Sequence, residues 1–558
     1  MKINFIPLIT LLMIVSCTSS DNDNAANLVR EVTDSVAPLA KEAAHNYWMG
    51  TTTGENRYFT EYSSLNVKIS DIYSNPVKFN KIKELIERGK ISDPLLKREL
   101  DLLYNLFLAN QADTLLLRKI IEKSSLLEQK YASFRAEFRG EKITDNQVEE
   151  ILRNSTDNEI LKEAWLSHKE IGNLVSGDII ELAKLRNQLA TSLGFDNYHT
   201  MSLKLSGQDP AEVSALMDEL DGLTSNAFAS LKKEMDTFFS KRYKTEVSNL
   251  MPWHYQGRFF QESPQLYQVD LDKYYKGKNL EKLTEQYYES IGIDVSSIME
   301  NSDLYSRPGK NQHAYCIDID RNGDIRVLAN ISDTEQWMGT MLHEFGHAVY
   351  AIGHDSPKNP YFIREAAHSF TTEAIAMLFG RLSRNPQWIK EMTGISEQEM
   401  ESVAEDCRKS LTLQQLVFSR WVQVMYRFEK EMYSNPDQDL NNLWWNLVQK
   451  YQMLSKPEGR DMPDWSTKVH IALYPCYYHN YQLGELLASQ LQYHISNKIM
   501  DSDNPMEETF TGQKEVGMWL MDNIFTQGMR YDWNEMIERA TGEKLTAKYY
   551  AMQFVGNL

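Results

Sequence analysis

The chain is poor in cysteine, in clustered positive charge and in long apolar runs. Four cysteines are present in 558 residues. With Cys17 set apart at the N-terminus, Cys316, Cys407 and Cys476 are too few for a disulfide framework. One bridge among them stays open, and buried thiols are the simpler reading. Basic residues number 59 against 78 acidic ones, a formal charge of −19, and no dense Lys/Arg run interrupts the excess. Nucleic-acid phosphates would be repelled, which excludes nucleic acid as a partner; otherwise the charge implies solubility. The one conspicuous apolar run, at the N-terminus, is too short to span a bilayer as a mature helix. Length alone argues for roughly three or four domains, yet neither an internal repeat nor a break in composition divides the chain.

The N-terminus, MKINFIPLITLLMIVSC, has one lysine, an apolar run and then Ser16-Cys17. It resembles a bacterial lipoprotein signal, with residues 1–16 removed and Cys17 left as the lipidated first residue. An ordinary signal peptide is the alternative. The polar stretch TSSDNDNAAN that follows the cysteine has no core-forming pattern, and residues 17–26 read as a tether. The expectation is an exported protein anchored by lipid at the bacterial cell envelope, on its periplasmic or outer side. Beyond the tether, apolar residues recur at helical spacing almost everywhere. Asp93-Pro94 supplies an N-cap and a first-turn proline, and Thr156-x-x-Glu159 and Ser396-x-x-Glu399 match capping boxes. Strand-like alternation is confined mainly to 313–330, around Asn322-Gly323, a strong hairpin signal. With 42% hydrophobic residues, the chain can bury a large core. The fold class is mainly α, with a small β-hairpin.

Most of the chemistry is concentrated in one pentapeptide. His343-Glu344-Phe345-Gly346-His347 lies in the apolar, helix-forming stretch MGTMLHEFGHAVYAIGH, and one helical turn puts both imidazoles on the same face. Paired neutral imidazoles suit a zinc ion, and Glu344 projects beside them as a general base. A catalytic zinc usually has three protein ligands. The third is predicted to be Glu373, which opens an apolar helical run where a buried carboxylate needs a partner. Glu365 follows Arg364 and has that residue to pair with. His354 and His368 fall in predicted loops and are assigned no ligand role.

Three blocks together resemble the angiotensin-converting-enzyme family of zinc peptidyl-dipeptidases: NQHAYCIDIDRNGDIRVLANISD, the zinc motif, and DWSTKVHIALYPCYYHNYQLGEL. His313-Ala314 precedes His343 by 30 residues, as the family's substrate-lining His-Ala pair does. The stretch EAWLSHKEIGNLVSGDIIELAKLRNQLATSLGF is similar to the family's helical N-terminal half, so the likeness covers nearly all of the mature chain.

The resemblance implies one zinc ion on His343, His347 and Glu373, with Glu344 as base. It implies that Lys468 holds the substrate's C-terminal carboxylate and that His470 contacts the peptide. Its tyrosine pair matches Tyr478 and Tyr481, with Tyr477 as the alternative to the first. Tyr481 and His470 would then stabilise the developing oxyanion. Gln256, shortly after a tryptophan, is placed in carboxylate binding. Met377 replaces the family's second-shell aspartate, which leaves the partner of the zinc histidines open. Asn480 stands where the family has a chloride-binding arginine, which puts chloride activation in question. Gln312 and Asn330 occupy the positions of a family disulfide.

The implied fold is a helical ovoid whose two halves flank a deep cleft, a single catalytic domain over 27–558. Helices of about residues 27–125 would cover the entrance and admit only short peptides. A carboxypeptidase removing one residue, an oligopeptidase cutting internally, and an inactive lipid-anchored peptide-binding protein are the alternatives.

Overall fold

The computed structural model describes residues 6–267 and 269–556, with side chains from residue 21 onward. Cys17 and the leader's side chains therefore lie outside the described residues. The architecture is mainly α, as the apolar spacing predicts, with two two-stranded antiparallel sheets. Among the described residues no helix is long and apolar enough to cross a membrane.

Helix α1 (Ile6–Thr53) starts the fold and corrects one expectation. The stretch predicted to be an unstructured tether is helical, and its described part is packed. Ala25 is fully buried, the Asp21 carboxylate pairs with Arg88 at 3.2 Å, and Asn22 accepts the Ser92 N–H at 3.0 Å. Ala25, Leu28, Val29, Val32 and Val36 form one helical stripe, with Asp21 buried at its start, and Asp23, Asn24 and Asn27 occupy the exposed faces. That stripe builds a small core with α2 (Asn56–Tyr73), α3 (Pro76–Arg88) and α4 (Pro94–Ala109), through Tyr73, Ile82, Leu85, Leu100, Leu103 and Phe107. Asp93 caps α4 as predicted, accepting the N–H groups of Leu95 and Leu96, a contact worth about 1 kcal/mol.

The boundary expected near residue 125 falls inside a helix, Thr114–Ser133, whose Leu127 already belongs to the main core. The separately packed unit ends with α4. Its far end grips the body: Trp48 of α1 packs with Ile319 and Leu328, Thr51 and Tyr315 share a hydroxyl hydrogen bond, and Arg98 of α4 donates to the Met529 carbonyl at 2.8 Å.

Two further expectations shift. Asp157, one residue after Thr156, caps the helix Asn158–Lys169, because its carboxylate accepts both free N–H groups of Glu159 and Ile160. Ser396 and Glu399 do form a reciprocal capping box, at the head of the helix Glu397–Ser434. A hairpin of β1 (Ala136–Phe138) and β2 (Glu141–Ile143) was not foreseen. It turns on Arg139-Gly140, both at positive φ, a two-residue turn whose only sequence mark is the glycine.

The predicted hairpin is present as β3 (Tyr315–Asp318) and β4 (Ile325–Leu328), with Tyr315 opposite Leu328 and Asp318 opposite Ile325. Its turn is longer than the Asn-Gly signal implies, because Asp318 and Asp320 accept backbone N–H groups within 320–324.

Candidate active site

The motif occupies the helix Glu335–His354, capped by Thr334, with Met338, Leu342, Phe345, Ala348 and Val349 on its buried faces. His343 and His347 follow one another along its cavity side, ring centroids 4.9 Å apart. Gly346 between them lets a second helix, Ser369–Gly380, lie close: a Cβ there would stand 2.8 Å from the Ala376 Cα. This approach delivers Glu373. One carboxylate oxygen stands 3.7 Å from His343 Nε2 and 4.0 Å from His347 Nε2. Tetrahedral zinc with bonds near 2.1 Å holds its ligand atoms about 3.4 Å apart, so a small side-chain adjustment completes the shell.

Electrostatics fit a cation. Burial holds the imidazoles at about 4 for His343 and about 3 for His347, so both are neutral ligands at physiological pH. Burial, then the charge of Glu485, pushes Glu373 up to about 7, and no cationic side chain pairs with it among the described residues. Thr372 supplies the histidine partner that the sequence left open. Its hydroxyl lies 2.8 Å from His347 Nδ1, which fixes the ring and turns Nε2 toward Glu373.

Glu344 lies beside this group, buried, and receives the Cys316 backbone N–H from β3. Burial and the neighbouring Glu373 charge push its carboxyl up to about 8. Ala314, Cys316, Glu344, Glu373 and the two histidines line a cavity of about 630 Å³. Among the described residues β3 pairs only with β4, and no strand lies along its other edge. Ala314 faces the cavity just before the paired segment, whereas His313 is exposed and outside the lining. Glu365, the discarded ligand, pairs with Arg321 and not with its neighbour Arg364. His354 is the last residue of the motif helix and so not in a loop, whereas His368 lies in the connection just before the next helix, as its N-cap.

A run of aromatic rings leads from the His343, His347 and Glu373 group to Lys468. Tyr481 and Tyr477 both carry the influence of the Glu373 charge, and their rings lie 5.3 Å apart. Tyr478 sits 5.4 Å from Tyr481 and 5.0 Å from His470. Lys468 Nζ lies over the rings of Tyr478, Phe259 and Trp421 and donates to Gln261. Burial lowers its ammonium to about 8, and it has no acidic hydrogen-bond partner. His470 Nδ1 is also buried without a partner, and burial keeps this ring neutral, at about 4.

Gln256 is not part of this pocket. Its amide donates to the Arg153 carbonyl at 3.1 Å and accepts the Gln265 N–H at 2.7 Å, so both ends are spent on backbone. The glutamine beside Lys468 is Gln261, five residues later. Only its place in the same loop as the tryptophan signalled it.

A sequence profile of the angiotensin-converting enzyme family matches residues 19–555. The chain belongs to this family of peptidases. Its relatives are distant. An angiotensin-converting enzyme of Haematobia irritans exigua is 20% identical over 465 residues, covering 74% of this chain and 72% of the relative. An angiotensin-converting enzyme-like protein of Mus musculus is 21% identical, covering 71% of this chain and 57% of the relative. A thermostable carboxypeptidase of Pyrococcus furiosus is 20% identical over 255 residues, 41% of this chain and 49% of the relative.

This family member fills two positions in its own way. Asn480 is buried and accepts from Gln208 at 2.8 Å, and the Gln208 amide oxygen meets His479 Nε2 at 2.8 Å, a network without a cationic side chain. Asn330 donates to the Asn311 carbonyl at 3.0 Å beside β3. Cys316, Cys407 and Cys476 are free thiols.

Proposed function

We propose that the chain is a zinc-dependent peptidyl-dipeptidase that removes dipeptides from the free C-termini of short peptides. The observation that carries this reading is Lys468: a buried ammonium with Gln261 and Tyr478 around it, no carboxylate in direct contact among the described residues although the charges of Glu262 and Glu149 are felt, and two tyrosine rings between it and His343, His347 and Glu373. A substrate's terminal carboxylate is the anion this pocket lacks. His343, His347 and Glu373 would hold one zinc ion. When bound, zinc supplies Lewis acidity, which acidifies water and polarises a carbonyl.

The remaining steps belong to side chains. Glu344 takes a proton from the attacking water and returns it to the leaving amine, and its raised pKa suits both directions. The N–H of Cys316 aims its carboxylate. The Tyr481 hydroxyl, with His470 beyond it, donates to the oxygen that gains charge as the carbonyl becomes tetrahedral. The open edge of β3, preceded by His313 and Ala314, aligns the peptide as an added strand. The uncharged Asn480 network supports activity that does not depend on chloride. Helices α1 to α4 cover the entrance and restrict substrates to short peptides, and lipid on Cys17 holds the enzyme at the bacterial cell envelope.

The match to a carboxypeptidase keeps one-residue release as the second reading. A mass-resolved digest of a defined decapeptide separates the two. Successive losses of two residues from the C-terminus, strongly slowed by C-terminal amidation, are expected; successive losses of one residue would refute the dipeptidase reading.

A further inference from the structure

Among the described residues, a second group of metal-ligating side chains lies two turns beyond His347. Asp318 at the end of β3, His354 at the end of the motif helix and Asp355 as its C-cap each bring a ligand atom within 4.8 Å of the others. The His354 and Asp355 side chains are only 9% and 4% exposed. His354 Nδ1 and Asp355 Oδ1 face each other at 3.4 Å, yet both atoms are buried and neither has a hydrogen-bond partner. The other Asp355 oxygen accepts the Gly323 N–H at 2.7 Å, and Asp318 accepts the N–H groups of Arg321 at 2.8 Å and Asp320 at 3.2 Å.

Three features of this group are unfavourable without a cation. The Asp318 and Asp355 carboxylates bring oxygens within 4.8 Å of each other, where two like charges repel. Asp355 ends a 20-residue helix, where the macrodipole disfavours an anion. The nearby guanidiniums are already engaged, Arg321 with Glu365 and Arg364 with the carbonyls of Asn359 and Arg321.

We propose that Asp318, His354 and Asp355 bind a second divalent cation, separate from the centre of His343, His347 and Glu373. One imidazole with two carboxylates suits an ion of borderline hardness such as Zn²⁺ or Mn²⁺, whereas Ca²⁺ takes about six to eight oxygens. Asp318 and His354 line the active-site cavity, so water from that side can complete the coordination. Seven helical residues from His347 correspond to about 10 Å, too far to share a water, which needs ions about 3.5–4 Å apart. The second ion instead pins the β3–β4 hairpin to the end of the motif helix and fixes that wall of the cavity.

Equilibrium dialysis of the chelator-stripped full chain against micromolar Zn²⁺, read by elemental analysis, tests the assignment. The wild type is expected to exceed Asp318→Asn/Asp355→Asn by one ion per chain. His343→Gln/His347→Gln should lose a different ion and still show a zinc-dependent rise in melting temperature. Adding Asp355→Asn to that variant should abolish the rise. Equal zinc content in the wild type and the Asp318→Asn/Asp355→Asn protein overturns the proposal. Should that double variant not fold, His354→Gln decides: one ion fewer than wild type supports the site, and an unchanged content rejects it. The His343→Gln/His347→Gln arm reports failure of the first centre separately.

Discussion

At the scale of single residues, the site depends on buried groups whose counterparts come from outside the chain. Lys468 shows this in a form that titrates. Burial holds its ammonium at about 8, against about 10.4 for a free lysine, so the charge that pairs with a peptide carboxylate disappears within an accessible range. The sign follows directly. Below pH 8 the ammonium is present and a free C-terminus is bound; above it, kcat/KM for such peptides should fall about tenfold per pH unit. A C-terminal amide should not share this fall, so the ratio of the two profiles isolates Lys468 from every other alkaline ionisation. Lys468→Met should reduce kcat/KM for the free acid by roughly thirtyfold or more and make the ratio flat. Thr372 works through His347, and its test is affinity. Thr372→Val should weaken zinc binding by about 10–100-fold in a chelator competition, with the helical circular dichroism unchanged.

At the scale of elements, the positions of the proposed metal ligands are set by how closely two helices cross. Ala376 and Ile375 backbone atoms stand where a Cβ on Gly346 would go, and backbone cannot swing aside as a side-chain tip does. Replacing a helical glycine by alanine ordinarily stabilises by about 1 kcal/mol. Gly177 has open space around its Cβ position, so Gly177→Ala should raise the melting temperature. Gly346→Ala should lower it, by about 1–3 kcal/mol of overpacking, and weaken zinc binding as Glu373 moves off the histidines; a stabilised Gly346→Ala protein would refute this account of the crossing. The same crossing explains what was legible in the sequence. His343, Glu344 and His347 are fixed by one turn of helix, and the apolar spacing gave the helices and the predominance of α structure. Glu373 was legible because a carboxylate in an apolar run needs a partner. Thr372 was not, since a threonine beside a ligand looks like any other, and its role appears only when Ser369–Gly380 lies against the motif helix. Gln256 was misassigned for a similar reason: one loop holds several glutamines, and the backbone path, with Gln256 itself at positive φ, decides which one reaches Lys468. The β1–β2 hairpin, three residues per strand, is too short to show alternation.

At the scale of the whole molecule, the division into two cores sets which parts open first. Helices α1 to α4 bury their apolar stripes mainly in one another, with Phe362 as the body's contribution, while one large core runs from Leu127 to Phe554. Between the two units lies a cavity of about 450 Å³, and its wall shares Arg321 and Glu365 with the active-site cavity. A segment with a small core of its own and a cavity beneath it should open as a cooperative unit at lower free energy than the body. Native-state hydrogen exchange should therefore show Asn56–Ala109 exchanging together, well before Glu335–His354. The proposed zinc site lies on the motif helix and Ser369–Gly380, so added zinc should slow exchange there and leave α2 and α3 unchanged. Exchange of α2 to α4 at the same free energy as the motif helix would mean that the two cores unfold as one, and that α1 to α4 do not move independently of the body.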